Sequence, residues 1–170
     1  AILSGATPAQ EDACAEYGQA MGTAFQVIDD VLDYAGDAAV MGKNLGDDLR
    51  EGKTTLPLIA AMQRGTDAER ATIQTAIETG DISMLDAVVA IVHKTGALDI
   101  AKASARSEAE RAIAAAKQLP VNAYSACLVS LAAVGGLACA NALTAGICTG
   151  YYWSTLVVDA CRVARKVDGD

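Results

Sequence analysis

Apolar side chains recur at helical spacing over a long stretch near the start of the chain. They are Cys14, Tyr17, Met21, Phe25, Ile28 and Leu32, each three or four residues from the next. Just before this run, Thr7 and Gln10 can form a capping box around a proline that suits a first helical turn. The pattern predicts one long helix over about residues 8–34. Gly18 and Gly22 inside it each cost about 1 kcal/mol relative to Ala, a cost that is tolerable where another helix must approach closely.

The rest of the chain carries shorter helical signals. Helices are predicted over about 55–64, 66–79, 83–95 and 97–119, ended by Gly65, Gly80, Gly96 and Pro120. No segment has convincing strand alternation. Apolar residues make up 52% of the chain and aromatics only 4%, a mixture that favours closely packed helices over a sheet. The sequence therefore predicts an all-α fold.

Charge and cysteine content indicate which binding partners and which cellular compartment to expect. The net charge of −8 argues against nucleic acid as a partner. The five cysteines form no C-x-x-C pair, which favours buried free thiols in a reducing compartment. The first residues have neither a basic region nor a long apolar core, so no signal peptide is predicted. The expected location is the cytoplasm.

Acidic residues gather near the end of the predicted first helix, in the stretch "AFQVIDDVLDYAGD". Gln26, Asp29, Asp30 and Asp33 share one stripe of the helix, and residues 1–42 contain no Lys, Arg or His. Like charges at this spacing destabilise a helix and raise one another's pKa. A divalent cation such as Mg²⁺ reverses both effects. Two interpretations remain open here: a solvated acidic face and a metal site.

Two lysines follow in a glycine-rich segment. Lys43 lies in "MGKN" and Lys53 in "EGKTTLP". Cations beside an acidic cluster suit a diphosphate bridged by Mg²⁺, whereas lysines taken singly are typical surface residues. Asp47 and Asp48 lie between them and either join the metal shell or hold the lysines in place. The acids lack the spacing of an EF-hand, and the segment has one residue too many for a P-loop.

Two quoted stretches carry a family resemblance. "GTAFQVIDDVLDY", which starts at Gly22, and "GKNLGDDLREGKTTLPLI", which starts at Gly42, closely resemble the second aspartate-rich region of trans-isoprenyl diphosphate synthases. Within this polyprenyl synthetase family the long-chain bacterial type looks nearest, and the likeness runs from Ala1 to about Leu131. The resemblance implies a helical bundle of the isoprenoid synthase type, here truncated and without its N-terminal half.

The resemblance also implies a reaction. An allylic prenyl diphosphate loses its diphosphate with the help of Mg²⁺, and the double bond of isopentenyl diphosphate attacks the allylic cation. Loss of a proton then gives a longer trans-polyprenyl diphosphate. The implied Mg²⁺ ligands are Asp29, Asp30 and Asp33, and the implied catalytic residues are Asp29, Asp30 and Gln26. The implied substrate-binding residues are Phe25, Gln26, Lys43 and Lys53.

The chain departs from the family in what it lacks. Family members are longer and carry a first D-D-x-x-D motif and a basic pocket for isopentenyl diphosphate, both absent here. We therefore expect residues 1–131 to be a C-terminal half that is inactive alone. Members of the full-length family are usually homodimers, so the complete protein is expected to be one.

The final segment, residues 132–170, is atypical of the family. It is mostly apolar and small, and no charged residue occurs between Gln118 and Val158. Tyr151, Tyr152 and Trp153, followed by basic residues, resemble an interfacial belt with a positive flank. Three interpretations stay open: a helix packed on the bundle, a stretch without an evolved fold, and a segment in contact with a membrane.

Two alternative functions follow from these observations. The chain could be a non-catalytic helical interaction or membrane-associated module. It could also be a related helical terpene cyclase, although the N-D-x-x-S-x-x-x-E motif usual at the second metal site of that class is absent.

Overall fold

The structure is a computed structural model that describes residues 1–35 and 46–133. The α-helices in these ranges are α1 (Pro8–Ala35), α2 (Asp47–Arg50), α3 (Leu56–Arg64), α4 (Asp67–Thr79), α5 (Leu85–Lys94), α6 (Ala97–Ala116) and α7 (Ala123–Leu131). Short 3₁₀ turns cover Ile2–Ser4 and Ile82–Met84. The described ranges contain no strand, so the all-α prediction is confirmed.

Helix α1 begins as the sequence predicts. The Thr7 N–H donates to Gln10 Oε1 at 2.8 Å, and the Gln10 N–H donates to Thr7 Oγ1 at 3.4 Å, which completes a capping box. Among the described residues, no helix approaches Gly18 or Gly22 closely. A Cβ at either position would meet no atom of residues 1–35 and 46–133 within 4 Å.

Two predicted boundaries shift for local reasons. Residues 83 and 84, predicted to start a helix, belong to the 3₁₀ turn, because the Asp81 carboxylate accepts the Ser83 N–H at 2.9 Å and tightens the chain there. Helix α6 ends three residues early, since the N–H of Gln118 turns back to the Ala115 carbonyl. Pro120 disfavours the α conformation in the residue before it, which explains the tighter ending.

The described residues divide into two compact units. The first comprises 1–25 and 105–133, where small side chains of α1 and α6 are buried together. Ala20, Ala112 and Ala132 form its core, and the Tyr17 hydroxyl donates to the Leu128 carbonyl at 3.1 Å. Alanine cores allow close packing of helices, as the composition suggests.

The cysteines in this first unit differ from one another. Cys14 is a free thiol and partly buried. Cys127 is buried and disulfide-bonded, so the expectation of free thiols is wrong at this position.

The second unit, residues 26–104, is built around α3, α4 and α5, which pack against one another. Its fully buried side chains include Leu58, Ile73, Val88 and Val92, together with Leu49 from α2. Gly80 ends α4 at φ +61°, and a Cβ there would lie 2.9 Å from the Arg50 carbonyl oxygen. Only glycine fits this close approach. It allows α2 to lie against the end of α4.

Most of the apolar tail, residues 134–170, lies outside the described residues, and the three interpretations of it remain predictions. In the part of the chain that the structure describes, none of the helices has both the length and the apolar character needed to cross a membrane.

Helix α4 offers a test of the local structure. The Thr66 hydroxyl accepts the Glu69 N–H, while Glu69 accepts the Thr66 N–H and forms an ion pair with Lys94 of α5 at 2.6 Å. These contacts, the Lys94 pair first, lower the pKa of Glu69 to about 2. We expect Thr66→Ala to lower the free energy of unfolding by about 1 kcal/mol, measured by urea denaturation, because the cap is lost.

The matched control is Thr75→Ala, at an exposed position inside the same helix. It should leave the free energy of unfolding within about 0.5 kcal/mol of the wild-type value. Equal losses in the two variants would contradict the capping role of Thr66.

Candidate functional site

The acidic stripe of α1 is partly buried, which the sequence did not predict. Successive residues turn about 100° around the helix axis, so Asp29 and Asp30 point in different directions. Asp29 is partly exposed, whereas Asp30 and Asp33 are only 9% and 5% exposed. The interpretation as a fully solvated acidic face is therefore wrong for two of the three aspartates.

The Asp30 carboxylate lies at the start of α3. It accepts a hydrogen bond from Gln26 Nε2 at 2.9 Å, and the backbone N–H of Leu56 lies near enough to lower its pKa. Leu56 is the first residue of α3, and the preceding Thr55 makes no side-chain capping bond. Because the first N–H groups of a helix lack partners within it, a negative charge is favoured beside them. The carboxylate thus lies beside these N–H groups and is held by Gln26.

The environment of Asp30 raises its pKa. Burial is the largest cause, and the negative charges of Asp48 and Asp29 add to it. The Gln26 hydrogen bond and the nearby Leu56 N–H oppose the shift without cancelling it. At Asp30, neighbouring carboxylates raise the pKa as predicted, although burial matters more. Among the described residues, the charged side chains that contribute most to this shift are carboxylates, so the site favours a cation.

Asp33 is fixed by helix α2. One of its oxygens, Oδ2, accepts the backbone N–H of Asp48 at 3.0 Å. The Asp48 carboxylate in turn accepts a hydrogen bond from Lys53 Nζ at 3.0 Å, and Lys53 also pairs with Glu51 at 2.7 Å. Glu51 first and then Asp48 raise the pKa of Lys53, which is therefore positively charged. The structure thus joins Asp33 and Lys53 through Asp48.

Two buried hydroxyls lie near these carboxylates. Tyr34 Oη and Thr55 Oγ1 are buried, and neither has a hydrogen-bond partner within the described part of the chain. Burial raises the pKa of Tyr34, and Asp48 is among the carboxylates that raise it further. The nearby Thr55 hydroxyl lowers the pKa of Tyr34, but the two hydroxyls do not meet the geometry of a hydrogen bond. Buried hydroxyls without partners are costly, so they mark a region suited to a polar ligand.

The remaining predicted residues are placed differently. Gln26 is exposed, and its side chain reaches the site through its hydrogen bond to Asp30. Phe25 precedes it on α1 and is 44% exposed, although its helical spacing placed it on the apolar side. Lys43 lies outside the described residues. The structure therefore brings Gln26 to Asp30 and Lys53 to the neighbourhood of Asp33.

Sequence reasoning missed Tyr34 and Thr55. Tyr34 continues the buried run of Val27 and Val31 at helical spacing, which was the available signal. Thr55 occupies the N-cap position before the proline of α3, so the sequence pattern predicts a helix cap there and not a residue of the site.

The donor chemistry of this region fits a divalent cation. Within residues 1–35 and 46–133, no three acidic, His or Cys side chains are grouped closely enough to hold an ion by themselves. Mg²⁺, however, is commonly held by one or two carboxylates together with water and substrate phosphate oxygens. The buried Asp30, whose largest charged neighbours among the described residues are carboxylates, lies near the two hydroxyls without partners and suits that arrangement.

The raised pKa of Asp30 gives a testable pH dependence. The folded chain keeps this proton to a higher pH than the unfolded chain does, so the folded state binds more protons in that range. The contribution of Asp30 to the free energy of unfolding therefore falls as pH rises through the raised pKa.

Asp30→Asn cannot ionise. In metal-free buffer its stability relative to wild type should therefore increase as pH rises from about 4 to 7, measured by urea unfolding at several pH values. A difference in unfolding free energy that stays constant with pH would contradict this assignment.

Known proteins resemble this chain over most of its length. The family model for polyprenyl synthetase matches residues 1–94. Octaprenyl diphosphate synthase of Haemophilus influenzae is 47% identical over 133 residues, which are 78% of this chain and 40% of the relative. The Escherichia coli K12 octaprenyl diphosphate synthase is 46% identical over 132 residues, 77% of this chain and 41% of its own length. This chain thus spans about 40% of the length of these relatives.

Solved structures agree as well. A polyprenyl synthase from Caulobacter crescentus CB15, complexed with calcium and isoprenyl diphosphate, superimposes with a TM-score of 0.69 at 36% identity. The match covers 77% of this chain and 40% of that one. A decaprenyl diphosphate synthase from Rhodobacter capsulatus also gives 0.69, at 40% identity, covering 77% of this chain and 41% of that one. The expected resemblance to the long-chain type is confirmed, and the chain belongs to the polyprenyl synthetase family.

Proposed function

We propose that this chain supplies the diphosphate-binding and metal-binding half of a Mg²⁺-dependent trans-prenyltransferase. The complete enzyme would condense an allylic prenyl diphosphate with isopentenyl diphosphate to give a longer trans-polyprenyl diphosphate. The observation that carries the proposal is the pair of buried carboxylates, Asp30 held by Gln26 and Asp33 held by the Asp48 N–H, with Asp48 also bound to the charged Lys53. All three lie within the residues that the family model matches.

The acidic residues would bind the metal ion, and the lysines would bind the diphosphate. Asp29, Asp30 and Asp33 would hold Mg²⁺, directly or through water, and Lys43 and Lys53 would bind diphosphate oxygens. Bound Mg²⁺ would supply positive charge to the departing diphosphate. This assignment is supported by the burial of Asp30 and Asp33 and by carboxylates being the charged groups that act on Asp30.

The protein's own contribution is electrostatic. When the C–O bond of the allylic diphosphate breaks, negative charge builds on the leaving oxygens, and the Lys53 ammonium is already positioned and fully charged. The allylic cation forms a carbon–carbon bond with isopentenyl diphosphate, which then loses a proton. Gln26 would lie beside the reacting carbons and the diphosphate, and Phe25, on the same helix, would contact the allylic substrate.

A structural relative supports the choice of ligands. The Caulobacter crescentus polyprenyl synthase was crystallised with calcium and isoprenyl diphosphate, a divalent cation together with a prenyl diphosphate. Since this chain spans about 40% of such relatives, we propose that it is inactive alone and acts as part of a longer protein. The complete protein would work in the cytoplasm as a homodimer.

The alternative function, a non-catalytic or membrane-associated helical module, depends on the apolar tail. Contact of that tail with a membrane stays a prediction, because residues 134–170 lie outside the described ranges.

Binding of Mg²⁺ with inorganic pyrophosphate tests the proposal without turnover. At a ligand concentration about 100 times its dissociation constant, the chain should gain about 2.7 kcal/mol in free energy of unfolding. Asp29→Ala combined with Asp30→Ala should abolish the gain, because both are proposed metal ligands.

The matched control is Glu78→Ala with Glu110→Ala, which removes two negative charges at exposed positions outside the site. This variant should keep the gain. Stabilisation of the Asp29/Asp30 double variant equal to wild type would contradict the proposed metal site.

A chimera tests the reaction. We expect the chain alone to form no product from farnesyl diphosphate, isopentenyl diphosphate and Mg²⁺. The same chain should support product formation when it replaces the matching 132-residue segment of the Escherichia coli octaprenyl diphosphate synthase. Radiolabelled product would be extracted and counted. Turnover by the isolated chain, or a folded chimera without activity, would count against the proposal.

A further inference from the structure

The contacts of Asp48 differ in kind from those of the other acids near Lys53. Its backbone N–H donates to Asp33 Oδ2 at 3.0 Å, and its side-chain carboxylate accepts Lys53 Nζ at 3.0 Å. One residue therefore fixes a proposed metal ligand through its main chain and a proposed diphosphate ligand through its side chain. Nothing in the sequence distinguished Asp48 from Asp47 in this respect.

The two carboxylates that hold Lys53 also differ in exposure. The Asp48 side chain is 14% exposed, whereas the Glu51 side chain is 61% exposed. The Glu51 contact is the shorter of the two, at 2.7 Å against 3.0 Å, and Lys53 itself is 55% exposed. The difference lies in the carboxylates: Asp48 is also tied to Asp33 through its N–H, whereas the exposed Glu51 side chain can turn into water when an incoming anion replaces it.

We propose that Asp48 is a positioning residue of the diphosphate site, which aims Lys53 at the ligand next to Asp33, and that Glu51 is the carboxylate that the diphosphate displaces from Lys53. The inference rests on the proposed function, because it takes a Mg²⁺–diphosphate as the ligand. It goes beyond that function by giving opposite roles to two acids that pair with the same lysine. Asp47 is excluded from this role, since its carboxylate pairs with Arg50 at 2.7 Å.

Simple charge repulsion makes a different prediction. If Asp48 and Glu51 only repel or compete with the anion, removal of either negative charge strengthens pyrophosphate binding. If Asp48 positions Lys53, Asp48→Asn weakens binding despite the lost negative charge, because the ammonium loses its fixed partner. The sign of the effect at Asp48 therefore separates the two explanations.

The experiment is calorimetric titration of the full chain with inorganic pyrophosphate in Mg²⁺. Asp48→Asn should raise the dissociation constant about tenfold, the usual worth of a hydrogen bond to a charged group. Glu51→Gln should lower it about twofold to fivefold, because an exposed competing ion pair is removed. Stronger binding by Asp48→Asn would overturn the inference.

A double-mutant cycle distinguishes positioning of Lys53 from direct metal binding by Asp48. In a Lys53→Gln background, Asp48→Asn should have little further effect on the dissociation constant, since the lysine that it positions is gone. A full additional tenfold loss would mean that Asp48 acts on the metal, and would overturn the inference.

If Asp48→Asn does not fold, the variant to measure is Asp48→Glu. This change keeps the charge and moves the carboxylate outward by one methylene group, so positioning predicts weaker binding while charge repulsion predicts no change. Failure of the wild-type chain to bind Mg²⁺–pyrophosphate contradicts the proposed function itself. Normal wild-type binding with unchanged affinity in Asp48→Glu overturns only the role of Asp48.

Discussion

Two aspartates buried at the end of α1 are the constraint on which the described site depends. Asp30 lies beside the first N–H of α3 and accepts a hydrogen bond from Gln26, and Asp33 accepts an N–H from α2. Burial of negative charge is unfavourable unless hydrogen bonds or a cation compensate it. The backbone supplies part of this compensation, and the raised pKa of Asp30 indicates that the compensation is incomplete. A bound cation would complete it.

This arrangement links the fold to the proposed ligand site. The bond from the Asp48 N–H to Asp33 ties α2 to α1, and the Asp48 side chain pairs with Lys53. The close approach of Gly80 to Arg50 lets α2 lie against α4, so the position of Lys53 depends on packing in the second unit. Positive and negative groups are thereby set before any ligand arrives, which is how preorganised sites stabilise developing charge.

The sequence predicted the helices well and the orientation of the site poorly. Helical spacing and the capping boxes at Thr7 and Thr66 located α1 and α4 within a residue or two, because both signals are local. Burial of Asp30 and Asp33 depends on contacts with α2 and α3, which periodicity within α1 cannot reveal. For the same reason Phe25 was placed on the apolar side although it is exposed, and the pairing of Asp48 with Lys53 was one of two open choices.

Anomalous diffraction from crystals of the chain grown with Mn²⁺ and pyrophosphate would show whether these aspartates bind a divalent cation. Mn²⁺ prefers the same oxygen ligands as Mg²⁺ and can be located without reference to the protein. We expect an ion about 2.0–2.2 Å from a carboxylate oxygen of Asp29, Asp30 or Asp33, with pyrophosphate oxygens completing its shell and Lys53 in contact with the anion. An ion bound only elsewhere, with these aspartates in contact solely with protein atoms, would contradict this expectation.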